Sequence, residues 1–195
     1  MKLALALVGT LAGPALAAPQ TLRMQWLESS NVHLADDAGA INHRRDGKVT
    51  VTLAAGGKLM ATESGAVSDH NLYPRYSTTT TTAWSNTWRG RWRIADGALA
   101  LELELGKRTC TKSKGHSDAA AQTLACDAVD QILAFACKPE TVAVESAGGK
   151  RVKVAVWRCV TAGELADAPT TWTLGKTTCV RTLGGPGPDQ LQPCT

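Results

Sequence analysis

The sequence has no C-x-x-C pair, so a zinc site built from closely spaced thiolates is not expected, and no metal or cofactor is assigned. It also lacks H-E-x-x-H, G-x-S-x-G, a P-loop and a dinucleotide fingerprint. Those absences remove the motif-bearing metalloproteases, α/β-hydrolases and nucleotide enzymes. No charge of one sign dominates. The net charge is +4, far from the dense basic patch that marks a nucleic-acid or anionic-membrane partner. There is no N-x-S/T acceptor, and no apolar run reaches the roughly 20 residues needed to span a bilayer. Long amphipathic helices are nearly absent.

What the chain does carry begins with a leader. Lys2 is a short positive region, Leu3 to Ala12 is apolar, and Ala15-Leu16-Ala17 is an A-x-A cleavage site. Gly13-Pro14 interrupts the apolar run, which is too short for a membrane anchor. No cysteine stands near the cleavage site, so a lipoprotein anchor is not expected. Residues 1–17 therefore read as a secretory signal peptide and 18–195 as one β-rich domain, secreted or periplasmic. All six cysteines, Cys110, Cys126, Cys137, Cys159, Cys179 and Cys194, follow the leader. An even count in an exported chain implies up to three disulfides.

Short runs alternate apolar and polar residues between Gly, Asp-Gly and Gly-Gly breaks, the period of half-buried strands. Candidates are Leu22–Trp26, Lys48–Ala54, Lys58–Glu63, Thr82–Ile94, Ala98–Lys107, Thr141–Ser146, Lys150–Val160 and Thr171–Arg181. They predict an all-β, antiparallel barrel or sandwich built from hairpins, stapled by disulfides, with at most one short helix. Asp96-Gly97 is a type I′ hairpin signal. A two-residue loop there sets Ile94 opposite Leu99, Trp92 opposite Leu101, Gly90 opposite Leu103 and Trp88 opposite Leu105. Arg91 then meets Glu102 and Arg89 meets Glu104, while Arg93 meets Ala100 and has no charged partner. A slip of one residue would oppose charges to leucines, so the register is specified.

A second hairpin turns at Gly148-Gly149. Setting Val144 against Val152 and Val142 against Val154 brings Cys137 opposite Cys159, the preferred disulfide. Pro139 requires an edge there, since it donates no ladder bond. Cys179 with Cys194 would close the Gly/Pro-rich stretch Gly184 to Pro188, and Cys110 with Cys126 remains by elimination. Ser117–Cys137 reads either as a helix capped at Ser117 or Asp118, or as two short strands, Leu124–Cys126 and Phe135–Cys137, with strands preferred.

Trp84, Trp88 and Trp92 recur every four residues and share a strand face. As ligand-binding candidates they join Tyr73 and Tyr76; as structure, Trp88 and Trp92 continue into the leucine row and belong to the core, with Trp84 more open. Ser77–Thr82 reads as the solvent-facing start of a strand. His33, His43, His70 and His116 read as exposed loop histidines. Asp69-His70 are chain neighbours and point to opposite faces of an extended strand. Asp36-Asp37 reads as loop chemistry and Gly56-Gly57 as a turn. No catalytic residue is assigned.

Gly90-Arg91-Trp92 in a β-rich exported chain resembles the G-x-W element of lipocalin-like barrels. That resemblance implies an up-and-down barrel that holds a small apolar molecule and pins its tail by disulfides. Here the element follows several candidate strands, whereas in that family it lies on the first. The function expected is that of an exported, non-enzymatic binding protein, with a small apolar ligand beside Trp88, Trp92 and the leucine row. The alternatives are a surface module binding a glycan or a protein, with Trp84, Tyr73 and Tyr76 clustered, and a hydrolase whose histidine lies against a carboxylate.

Overall fold

The computed structural model describes residues 19–35, 38–116, 119–145, 150–165, 168–176, 179–183 and 190–192. The leader, Asp36-Asp37, Ser117-Asp118, Gly148-Gly149, Gly184 to Pro188 and Cys194 lie outside them, and with Cys194 so does the pairing expected for Cys179.

The chain is all-β. In order, the strands are β1 Gln20–His33, β2 Ala40–Leu53, β3 Lys58–Leu72, β4 Ser77–Ala95, β5 Ala98–His116 and β6 Ala119–Leu124. Then come β7 Ile132–Glu145, β8 Arg151–Thr161, β9 Thr171–Leu174, β10 Cys179–Leu183 and β11 Gln190–Gln192. The described residues contain no helix beyond a 3-10 turn at Ala55–Gly57, where Gly56-Gly57 does form the expected turn. None is long and apolar enough to cross a membrane. The strands form one sheet, ordered β11-β10-β1-β2-β3-β4-β5-β7-β8-β9, with β6 on the free length of β5. All neighbours are antiparallel except β1 and β10. The sheet coils without closing through a continuous ladder. One antiparallel bridge, Arg23 to Gly175, joins β1 to the end of β9, with N···O distances of 2.6 and 3.1 Å.

Both expected hairpin registers form. Asp96 (φ 51°) and Gly97 (φ 76°) adopt the left-handed conformations that a type I′ turn needs, and Trp88 to Ile94 pair with Leu105 to Leu99 as the patterning requires. The ion pairs among the described residues lie elsewhere, so the arginine–glutamate pairs across this hairpin share a register without closing into contacts. On the second hairpin Cys137 faces Cys159 and the disulfide forms. Pro139 finds its edge because β5 pairs with β7 only as far as Cys137. Cys110–Cys126 forms as well. Two disulfides in an all-β chain are more typical of extracytoplasmic proteins.

The first five strands are much longer than their alternating segments. Their inward residues stack in rows across the sheet. Leu22, Val51, Ala61, Trp88 and Leu105 make one row, and the next is Met24, Val49, Glu63, Asn86 and Arg108. Trp26, Gly47, Gly65, Trp84 and Cys110 follow, and after them the rows are polar: Glu28, Arg45, Val67, Thr82 and Lys112, then Ser30, His43, Asp69, Thr80 and Lys114. The apolar rows join Leu99, Leu101, Leu103, Leu133, Phe135, Trp172 and Leu174 in one core. Beyond the tryptophan row the sheet continues as a polar wing. Period-two hydrophobicity detects only strands with one apolar face, so the wing carries no such signal. That is why His43 and His70 lie within strands, with His33 and His116 at strand ends, and not in loops. Of the threonine run, Thr78 and Thr82 point inward and are buried, against the expected solvent-facing start. The expected strand Thr171–Arg181 is two strands, broken after Gly175, where the chain leaves the bridge and turns to run parallel to β1. The ambiguous segment resolves as strands, β6 and the start of β7, although β6 stops at Leu124 and Ala125-Cys126 lies outside it.

Candidate functional site

Among the described residues, Glu63 is the one acidic side chain buried in the core. Its Oε2 accepts from Asn86 Nδ2 at 3.1 Å and from Trp88 Nε1 at 3.3 Å. Asn86 Oδ1 in turn accepts from Arg108 at 3.3 Å. Burial pushes the Glu63 carboxyl above the usual carboxylate range, against the lowering effect of Asn86, Trp88 and Arg108. Trp84 also acts to lower it, but neither the Trp84 indole N–H nor Glu63 Oε1 has a hydrogen-bond partner among the described residues. This polar layer lies between apolar packing and the tryptophan row. It is a buried structural element, with no cavity among those below reaching it.

The tryptophan row is held by two glycines. A Cβ on Gly47 would sit 2.2 Å from the Trp26 ring, and one on Gly65 would sit 2.5 Å from the Trp84 ring. The benzo edge of each indole fills the space over a glycine on the neighbouring strand, which only a missing side chain allows. Trp84 is therefore 4% exposed, more buried than the half-buried Trp92. This reverses the expected order. Trp92 covers the core edge and its indole N–H donates to Ala54 O at 2.9 Å. Tyr73 and Tyr76 meet at the β3–β4 turn, their rings tilted by 30° with centroids 4.7 Å apart, and stay exposed. An exposed cluster uniting them with Trp84 is absent, because Trp84 faces inward.

On the wing, His43 Nδ1 lies 2.7 Å from Asp69 Oδ1, with Ser30 opposite His43 on β1. His70 points to the other face and meets Thr79 Oγ1 at 2.7 Å. Asp69 and His70 thus do face apart, and the histidine that Asp69 meets comes from the neighbouring strand.

Two concavities lie along the seam where the sheet fails to close. On one side of the Arg23–Gly175 bridge is a cavity of about 350 Å³. Leu22, Pro139, Ala155, Val156 and Trp157 supply its apolar lining, and Gln20, Glu140, Thr141 and Lys176 its polar groups. It exists because β9 pairs with β8 only at Trp157–Val160, leaving the earlier part of β8 uncovered beside the start of β1. On the other side is a cavity of about 290 Å³ that includes Trp26, Glu28, Arg45 and Arg158. A third, of about 430 Å³, opens on the outer face beside Arg44, Asp46 and Lys48. None of the three is lined by Trp88, Trp92 or the leucine row, whose members Trp88, Leu99, Leu101 and Leu103 are 0–1% exposed in a filled core. Sequence reasoning missed Trp157 and Lys176, because the seam is made by residues far apart in the chain. Among the described residues no cluster of three or more His, Cys, Asp or Glu side chains is arranged to hold a metal. No family model matches the chain, and neither the curated proteins nor the solved structures include a significant match.

Proposed function

We propose that this is an exported, non-enzymatic binding protein that takes up a small, mainly apolar ligand in the seam cavity beside Trp157. The observation that carries the reading is the cavity itself. Its volume falls within the usual small-molecule range of about 300–1,000 Å³, and its lining is chiefly apolar with a few polar groups at the edge. The leader-like segment and the two disulfides support an extracytoplasmic setting. Adding 1-decanol to ¹⁵N-labelled protein tests the reading, because the six tryptophans give separate indole signals. The Trp157 signal, assigned with Trp157→Phe, should move while that of Trp88 stays in place. No movement of Trp157 with any apolar probe would sink the proposal.

A second reading, a hydrolase, draws on the His43–Asp69 contact with Ser30 opposite. It predicts turnover of an activated ester that is lost in both Ser30→Ala and His43→Ala. A rate equal to that of buffer in the unmodified protein removes it.

A further inference from the structure

Resting on the binding reading above, we propose that the ligand of the seam cavity is an amphipathic anion, an apolar body with one negatively charged head group held at Lys176. Two charged side chains border the cavity, Glu140 and Lys176. Glu140 is engaged: Arg158 Nε lies 2.7 Å from its carboxylate and holds it below the usual carboxylate range. Lys176 is exposed and makes no ion pair among the described residues. Its position is set by the fold, since the preceding Gly175 uses both N–H and C=O in the bridge to Arg23. The cavity therefore presents an apolar lining, two neutral polar groups in Gln20 and Thr141, and at its rim one positive charge that has no ion-pair partner among the described residues.

These parts divide the work of recognition. One exposed ammonium does not retain a small inorganic anion in water, because a solvent-exposed pair changes affinity only about fivefold at best. Burial of an apolar body against Leu22, Pro139 and Trp157 supplies the main attraction, and Lys176 then selects among ligands with the same body. Glu140 does not reverse that selection while Arg158 neutralises it.

The experiment compares decanoate, 1-decanol and decyltrimethylammonium by titration calorimetry against the full exported chain, with the Trp157 indole signal reporting the site. At low ionic strength decanoate should bind more tightly than 1-decanol, by up to about fivefold, and decyltrimethylammonium more weakly than both. The preference should vanish in Lys176→Met and at about 0.5 M salt, where such charges are screened. Equal binding of decanoate and 1-decanol by the unmodified protein overturns the anionic head group and leaves the apolar site standing. So does a preference that survives in Lys176→Met. If no probe moves Trp157, the binding reading fails and this inference with it.

Discussion

Glu63 shows how one residue can resist the rule that its surroundings obey. It lies on β3 at an inward position between Ala61 and Gly65, where alternation calls for an apolar or small side chain. Burial raises its carboxyl pKa, so the folded protein holds a proton that the unfolded chain releases above the ordinary value of 4.5. Stability from this group is thus fully present below that ordinary value and is lost as pH rises through the higher folded one. Glu63→Gln keeps the acceptor for Asn86 and Trp88 and cannot ionise. It should unfold at a higher temperature than the unmodified protein at about pH 8, with the gap closing as the melting series approaches pH 4. An unchanged gap across that series would show that Glu63 does not ionise within it. Gly65 presents the opposite case, a residue needed for what it lacks. Gly65→Ala would bring a Cβ to 2.5 Å from Trp84 and 2.6 Å from the Asp46 carbonyl oxygen. A loss of about 1–3 kcal/mol in urea unfolding is expected, and an unshifted midpoint would mean that the indole moves aside freely.

At the scale of elements, local chemistry and covalent staples carry the argument. The β4–β5 hairpin was legible because Asp96-Gly97 sets the turn, and the leucines then admit one register. Gly97→Ala leaves open space around the new methyl but keeps φ at 76°, so it should cost about 1 kcal/mol in chemical denaturation. The β7–β8 register was equally legible from its valines, and it delivered Cys137 opposite Cys159. The double variant Cys137→Ala, Cys159→Ala opens a loop of 22 residues' separation and should lose about 3 kcal/mol. Peptide mapping without reduction should recover the linked Cys110–Cys126 and Cys137–Cys159 peptides; free thiols at those positions would contradict both staples. The wing was illegible for a definite reason. From Glu28, Arg45, Val67 and Thr82 outward, both faces of β1 to β4 are largely polar, and a strand without an apolar face has no period to detect.

For the whole molecule, stability should grade along the strands. The half of each long strand beneath the tryptophan row shares the core, whereas the wing is held by ladder bonds and contacts such as His43–Asp69 and Asn71–Thr78. Amides of Ile41 to Arg45 and Val67 to Asn71 should therefore exchange with deuterium well before those of Val49 to Leu53 and Leu99 to Leu103. Uniform protection from end to end would mean that the wing packs as tightly as the core.

Sequence alone determined the all-β class, the two hairpin registers, the Cys137–Cys159 disulfide and the burial of Trp88. Each follows from side chains a few residues apart, or from a turn that dictates what lies across from what. Tertiary structure alone decided that Trp84 is buried against Gly65, that Asp69 meets His43, and that a concavity forms at Trp157 and Lys176. Those outcomes depend on how a coiled sheet brings distant strands together and where it fails to close, and no local pattern in the chain encodes the place of that gap.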